Sequence, residues 1–224
     1  MPKARNKITP GAAFLNVPEL LVGCGGWQYF IVPGADPLEI YSRAFRFVEV
    51  NVTFYTIPDL SLVRSWRRRV PDGFEFAVKA HRAITHLEKL SPTQKTLKHL
   101  EKCLEICRAL DSRILVLETP KTLPLHKILG NLEKLLKLVD LDKVLIALEP
   151  RCGWSRDPET LKRFKELDVI PVADYSIRDP PYDHPEASYS RLFGRGEHNV
   201  YQFTDEDLKE IRRRAESRSS KKVY

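Results

Sequence analysis

Short apolar segments alternate with amphipathic segments along the whole chain, and this alternation limits the fold more than any other feature. Eight segments have the apolar or alternating pattern of strands, and helical spacing of apolar residues fills most of the gaps between them. The predicted strands cover residues 20–24, 47–51, 74–79, 114–118, 144–149, 169–174, 189–193 and an incomplete "KKVY" at 221–224. The predicted helices cover residues 37–45, 59–69, 91–110, 125–139, 157–167 and 204–216, with Ser91, Asp157 and Thr204 as N-caps. The proline-rich gap at 175–188 predicts a long loop.

Strands that alternate with helices are typical of parallel sheets with right-handed crossovers. Eight strands predict an α/β protein with a (β/α)₈ TIM-type barrel, incomplete at its last strand because the sequence ends at Tyr224. An open doubly wound sheet is the alternative, but no glycine-rich phosphate loop of Rossmann or Walker type follows any strand. Residues 1–18 are predicted to form a flexible basic arm, and residues 19–224 a single barrel-like domain.

The net charge of +7 lies in the two ends of the chain. Residues 1–7 carry +3 and residues 209–222 carry +5, which leaves −1 for the body between them. The basic ends predict at most nonspecific nucleic-acid contacts. No apolar run approaches the roughly 18–20 residues that cross a membrane, and the N-terminus lacks a secretory signal. Four cysteines make no disulfide framework, so a reducing cytoplasm is expected, and 30% charged residues favour a thermophilic source.

Polar side chains end the predicted strands. Six of the first seven strands end in an ionisable residue other than cysteine, and these ends carry Glu49 with Asn51, Lys79, Glu118, Glu149 with Arg151, Asp174 and Arg191. Active sites of such barrels lie at the C-terminal ends of the strands. Buried separately, these groups would each cost several kcal/mol, whereas at one shared mouth they can pair. Alternation also predicts that Lys79 and Glu149 point inward above small residues, Ala77 and Ala147.

Five longer stretches are specific enough to suggest a family. They are "VGCGGWQYF", "FVEVNVTFYTIP", "VRSWRRRVPDGFEFAVKAHRAITH", "LEPRCGWS" and "YSRLFGR". Together, over residues 21–195, the chain resembles the YecE-like family, domain-of-unknown-function family 72. The resemblance implies a TIM-type barrel but no established activity. The residues that match the family's motifs are Trp27, Glu49, Asn51, Thr53, Tyr55, Lys79, Thr85, His86, Glu149, Arg151, Trp154 and Arg191.

The chain departs from the family pattern at the mouth. Cys152 and Phe193 stand where the family has histidines, and Glu118 stands where glutamine is common. The loss of two histidines argues against a histidine-dependent or metal-dependent reaction. The carboxylates at the strand ends suit Mg²⁺ or Mn²⁺, but pairing with Lys79, Arg151 and Arg191 explains them equally well. No cofactor is therefore required, and a divalent metal stays an alternative.

The first functional hypothesis is an enzyme that acts on a small anionic substrate, such as a phosphorylated sugar or a nucleotide. Lys79, Arg151 and Arg191 would bind the anion, while Glu49 and Glu149 act as general acid and base and Lys79 is a further catalytic candidate through a Schiff base. The remaining predicted substrate-binding residues are Trp27, Tyr55 and Trp154 as pocket walls, and Asn51, Thr85, His86 and Asp174.

Two other hypotheses belong to different classes. A nucleic-acid-binding or nuclease-like barrel is suggested by the basic ends and by "RSWRRR" at residues 64–69. A non-catalytic ligand-binding protein is suggested by Cys152 and Phe193, because they replace histidines at the predicted mouth.

Overall fold

A nine-stranded, all-parallel sheet forms the centre of the protein. The computed structural model describes residues 17–29, 31–196 and 200–224. Neighbouring strands pair in the order β1-β9-β8-β7-β6-β5-β4-β3-β2. The strands are β1 (Glu19–Leu20), β2 (Gly23–Cys24), β3 (Phe47–Val50), β4 (Glu75–Lys79), β5 (Ile114–Thr119), β6 (Leu145–Pro150), β7 (Val169–Ala173), β8 (Ala187–Ser190) and β9 (Lys222–Val223).

The sheet is strongly curled. Only Leu21 and Val22 separate β1 from β2, yet β1 pairs with β9 and β2 pairs with β3, at opposite ends of the strand order. The protein therefore has an α/β fold in which the curl brings the C-terminal ends of distant strands towards one another. Gly23 is needed where β2 meets β3, because a Cβ atom there would overlap the carbonyl group of Phe47.

The described residues form six α-helices, four of which begin at a residue whose side chain caps the helix. They are α1 (Pro37–Ala44), α2 (Leu60–Arg68), α3 (Gln94–Leu110), α4 (Leu125–Leu136), α5 (Pro158–Glu166) and α6 (Asp205–Glu216). Asp157 and Thr204 cap α5 and α6 as predicted. The prediction of Ser91 as the cap of α3 was wrong, because Thr93 accepts the hydrogen bond from the Thr96 amide at 3.1 Å.

Two apolar clusters lie on the two faces of the sheet. Phe74, Phe76 and Val78 belong to the outer cluster, which packs against the helices. Ala77 and Ala147 belong to the inner cluster, on the same strand face as Lys79 and Glu149. The period-two prediction for these strands is confirmed, and small residues leave room for the long charged side chains one layer above.

Several predicted boundaries needed correction. The first strand is split into β1 and β2, and the segment predicted at 189–193 is β8 at Ala187–Ser190. Arg191 therefore follows its strand, because the chain leaves the ladder where Asp174 binds the amides of Phe193 and Gly194. The "KKVY" segment does form a short strand, β9, between β8 and β1.

Some of the expectations from the sequence concern the N-terminal arm, the cysteines and membrane-spanning helices. Residues 1–16 of the predicted arm lie outside the described part of the chain. All four cysteines are free thiols. No helix in the described ranges is both long and apolar enough to cross a lipid bilayer.

Candidate active site

One guanidinium group, that of Arg191, contacts the carboxylates at the ends of three strands. Its Nη1 atom lies 2.5 Å from Glu118 Oε2 and also contacts Glu149 Oε2. Its Nη2 atom lies 3.2 Å from Glu49 Oε1. The curl of the sheet makes this arrangement possible. Glu49, Glu118 and Glu149 lie on β3, β5 and β6, and Arg191 directly follows β8.

Two further cations complete the cluster. Lys79, the last residue of β4, places Nζ 2.9 Å from Glu118 Oε2. Arg151 places Nε 3.0 Å from Glu149 Oε1 and Nη2 3.5 Å from Glu118 Oε2. With Glu49 and Arg191, the cluster holds three cations and three carboxylates, so their formal charges balance.

Glu118 and Glu149 are neighbours in register on β5 and β6, but their protonation preferences differ. Burial alone would raise the pKa of Glu118, yet Arg191 and Lys79 together lower it to about 2. Burial raises the pKa of Glu149, and Arg191 and Arg151 only partly offset that increase. In many enzymes, two nearby carboxyl groups whose pKa values are shifted in opposite directions act as separate acid and base.

Glu49 is held from below by a buried phenol. Tyr189, 2% exposed, donates a hydrogen bond from its hydroxyl to Glu49 Oε2 at 2.8 Å. Burial and the Glu49 carboxylate raise the pKa of Tyr189 well above its ordinary value, so the proton stays on the phenol. Burial would lower the pKa of Arg191, but the three carboxylates raise it, so the guanidinium stays charged.

Aromatic rings cover the cations of the cluster. The Arg151 guanidinium lies 4.3 Å from the centre of the Phe193 ring, and that of Arg191 lies 5.2 Å from it. Lys79 Nζ lies 4.4 Å from the centre of the Phe54 ring. Cation–π contacts of this kind are favourable, especially away from water. The Phe193 ring thus supports two arginines.

A cavity of about 1030 Å³ opens beside the cluster. Its volume reaches the upper end of the range of small-molecule sites. The cluster side chains that line it are Glu49, Lys79, Glu118, Arg151 and Arg191, with Asn51 next to them; Glu149 contacts Arg151 and Arg191 but is not itself a lining residue. Gly25 permits this position of Asn51, because a Cβ atom at residue 25 would overlap the Asn51 amide nitrogen.

Thr85, His86 and Tyr55 lie around the Lys79 side of the site. A π-helical turn at Ala83–Leu87 carries Thr85 and His86, whose Oγ1 and Nδ1 atoms are 2.9 Å apart. Burial lowers the pKa of His86 and Glu118 only partly opposes this, so the imidazole is neutral near pH 7. Tyr55 is 66% exposed, and its carbonyl oxygen bonds the His81 ring at 3.2 Å.

Six predicted substrate-binding residues lie outside the cavity lining: Tyr55, Thr85 and His86 on the Lys79 side, and Trp27, Trp154 and Asp174 elsewhere. Trp27 packs edge-on against Trp66, with ring centres 5.2 Å apart, next to the outer apolar cluster. Trp154 also packs there, and its Nε1 donates to the Val172 carbonyl oxygen at 3.0 Å. Asp174 accepts hydrogen bonds from the Phe193 and Gly194 amides, so it fixes the segment that carries Arg191.

Sequence reasoning left three contributors out of the predicted site. Glu118 was visible as a strand-ending carboxylate on the same face as Val116 and in register with Glu149. Tyr189 lies two residues before Arg191, so period-two alternation could have placed both on one face. Phe193 had no signal beyond its replacement of a histidine.

Each carboxylate of the cluster is in ion-pair contact with at least one protein cation. Within residues 17–29, 31–196 and 200–224, no three His, Cys, Asp or Glu side chains are grouped to hold a metal ion. The sequence left two roles open for these carboxylates, metal binding and ion pairing. In the described residues they form ion pairs with Lys79, Arg151 and Arg191.

Comparison with known proteins assigns a family. The family model for "Protein of unknown function DUF72" matches residues 21–224. The chain belongs to the DUF72 family. This confirms the resemblance drawn from the sequence motifs, since the YecE-like family is DUF72. A search of curated proteins finds no match.

Solved structures of DUF72 proteins share the fold. A DUF72 protein from Enterococcus faecalis V583 superposes with a TM-score of 0.69 at 17% identity, over 92% of this chain and 88% of that one. A DUF72 protein from Thermotoga maritima MSB8 gives 0.67 at 20% identity, over 92% and 90% of the two chains. An AP endonuclease, family 2, from Brucella melitensis gives 0.54 at 13% identity, over 92% and 91%. At these identities the likeness concerns the fold alone.

Proposed function

We propose that this DUF72 protein is an enzyme that performs acid–base chemistry on a small anionic substrate, bearing a phosphate or a carboxylate, at the C-terminal ends of its strands. The observation that carries the proposal is Glu149, a buried carboxylate whose pKa is raised while that of the adjacent Glu118 is lowered, in a cluster whose other side chains line a large cavity. Carboxylates whose surroundings move their pKa values apart recur at sites of acid–base catalysis.

The proton donor in this proposal is Glu149. Burial raises its pKa, so it keeps a proton to higher pH than an ordinary glutamate. The proton acceptor is Glu49, which is 4% exposed and has one oxygen bound by Tyr189 while the other has no hydrogen-bond donor among the described residues. Glu118 stays ionised and holds Lys79 and Arg191 in place.

Lys79 and Arg151 are the proposed anion-binding groups. Arg151 is the most accessible cation of the cluster, with its side chain 31% exposed, compared with 12% for Lys79 and for Arg191. An incoming anion can take up free donors of Arg151 and Lys79 without displacing the buried Arg191. The Lys79 Nζ atom is already engaged in an ion pair with Glu118, a contact that suits anion binding rather than Schiff-base chemistry.

A panel of phosphate esters, sugar phosphates and small carboxylic acids tests the proposal. We expect one class to bind and to be converted, and Glu149→Gln to lower kcat/KM by about 100-fold or more. Because the acid form of Glu149 is required, kcat/KM should fall as the pH rises through its raised pKa. Lys79→Met should weaken binding, whereas Lys102→Met, an exposed lysine on α3, should not.

Two results would contradict the proposal. The first is the absence of both binding and turnover across the whole panel. The second is a Lys79→Met variant that binds and turns over substrate as the wild type does. Binding without turnover would favour the alternative of a non-catalytic ligand-binding protein.

The nucleic-acid hypothesis receives less support from the basic residues that suggested it. On α6, Arg212 pairs with Glu216 and Arg213 pairs with Glu210, both at 2.7 Å. In "RSWRRR", Arg67 donates to the Phe74 carbonyl oxygen at 2.7 Å. Paired or structurally engaged cations release fewer counterions on binding to phosphates.

We also infer that β1 and β2 act as one bent strand that closes the sheet into an eight-stranded barrel. The inference rests on the pairing of β1 with β9 and of β2 with β3, across a two-residue connection. A crystal structure in which β1 does not pair with β9 would contradict it.

A further inference from the structure

Two buried oxygen atoms at the cavity lack a hydrogen-bond donor among the described residues. They are Glu49 Oε1 and Asn51 Oδ1, and both residues line the cavity. Glu49 Oε1 is in ion-pair contact with Arg191 Nη2 at 3.2 Å, but no hydrogen bond joins them. A buried acceptor without a donor costs free energy, so the site favours a ligand that supplies donors there.

The two acceptors are fixed in place. Glu49 Oε2 accepts from the Tyr189 hydroxyl at 2.8 Å, which restricts rotation of the carboxylate. The Asn51 amide lies so close to Gly25 that even a methyl group on residue 25 would overlap it. Residues 49 and 51 are two apart at the end of β3, so both face the cavity. A fixed pair of acceptors selects a ligand with donors at matching positions.

The charge around the acceptors indicates which donor fits. Arg191 lies 3.2 Å from Glu49 Oε1, and Lys79 lines the same cavity. A ligand ammonium group would be repelled by these cations. A hydroxyl group donates a hydrogen bond without adding positive charge, so hydroxyl donors fit this part of the cavity best.

We propose that the substrate is a hydroxylated anion, a sugar phosphate or a sugar acid, whose hydroxyl groups donate to Glu49 and Asn51 while its anionic group binds Lys79 and Arg151. This inference rests on the proposed function and narrows its substrate class. It assigns Asn51 as a specificity-determining residue, because none of the described residues donates to its oxygen and a ligand hydroxyl at that position would. A nucleobase finds less support, since Trp27 and Trp154 pack next to the outer cluster.

Charge-matched pairs of compounds test the inference in binding experiments on the full-length protein. Glucose 6-phosphate and hexyl phosphate share six carbons and a phosphate, and differ in their hydroxyl groups. Gluconate and hexanoate form the same pair with a carboxylate. We expect the hydroxylated member of at least one pair to bind about 10- to 100-fold more tightly by titration calorimetry, as expected when a buried acceptor gains or lacks its donor.

A matched pair of variants assigns the preference to Asn51. Asn51→Leu removes the acceptor at similar size and should reduce the preference to less than about threefold. Asn131→Leu makes the same change at a side chain that bonds the Lys89 carbonyl oxygen far along the chain and should keep the preference. The comparison of ligands on the wild type stands even if Asn51→Leu fails to fold.

The outcomes separate this inference from the proposed function. Equal binding of both members of each pair, or tighter binding of hexyl phosphate or hexanoate, overturns the inference and leaves the anion site standing. No binding by any of the four compounds overturns the inference, and the proposed function falls with it only if the whole panel of anions also fails to bind. Binding of neutral sorbitol with no binding of the anions supports hydroxyl recognition and overturns the anionic substrate.

Discussion

Replacing Arg191 with methionine tests whether one guanidinium stabilises the whole cluster. The group contacts Glu49, Glu118 and Glu149, and its side chain is only 12% exposed. Methionine keeps an apolar side chain of similar length and removes the charge. Three buried carboxylates then share the two remaining cations of the cluster, so one negative charge is left without a partner.

The size of the effect follows from the electrostatics of the site. Burial alone would raise the pKa of Glu118, but the cations, with Arg191 first, lower it from 4.5 to about 2. That change corresponds to about 3 kcal/mol in favour of the ionised carboxylate in the folded state. Removing one partner of a buried ion pair costs about 3–5 kcal/mol. We therefore expect Arg191→Met to lower the free energy of unfolding by about 3–5 kcal/mol near neutral pH.

The effect depends on pH with a definite sign. The folded-state pKa of Glu118 lies below its unfolded value, so its contribution to stability is present above pH 4.5 and is lost as the pH falls towards about 2. The variant lacks the main cause of that contribution at all pH values. The difference in unfolding free energy between wild type and variant should therefore shrink over this window.

Urea unfolding followed by tryptophan fluorescence, at about pH 7 and about pH 3, measures both quantities. Arg163→Met is the control, because Arg163 pairs with Glu133 at the surface, with side chains 44% and 29% exposed. That pair should contribute less than about 1 kcal/mol. The reasoning is refuted if Arg191→Met destabilises no more than Arg163→Met, or if its effect is the same at both pH values.

Two other substitutions test individual contacts. Gly25→Ala should displace the Asn51 amide and weaken glucose 6-phosphate binding by about 10-fold, with a small change in thermal midpoint. Gly73→Ala is the control and should leave binding unchanged, because the space around residue 73 is open. Equal effects of the two variants in titration calorimetry would contradict this role of Gly25. Tyr189→Phe leaves Glu49 Oε2 without its donor and should lower the free energy of unfolding by about 1–3 kcal/mol in urea; an unchanged midpoint would contradict the proposed support of the carboxylate.

Much of the fold can be predicted from local sequence patterns. Period two in residues 74–79 placed Phe76 and Val78 on the helix side and Ala77 with Lys79 on the inner side, and the structure agrees. Strand and helix order also predicted parallel pairing. Alternation and capping are properties of a few consecutive residues, so they can be recognised without knowledge of the rest of the chain.

Boundaries depended on contacts that local patterns do not encode. The segment predicted at 189–193 is strand only as far as Ser190, because the Asp174 carboxylate takes the amides of the following loop. Trp27 and Trp154 have side chains that suit either a pocket wall or a helix–sheet contact. Packing against Trp66 and Phe164 decided their positions.

The tertiary structure decides which charged residues of the site pair with one another. A strand-end residue can be recognised from the sequence alone, and six of the first seven predicted strands carried one. Which partners meet depends on the curl of the sheet, since Arg191 reaches Glu118 and Glu149 across 73 and 42 residues of chain. Periodicity fixes the face on which each side chain lies. Only the folded sheet sets the distances between those faces, and with them the pKa values and the two buried acceptor oxygens that lack a donor among the described residues.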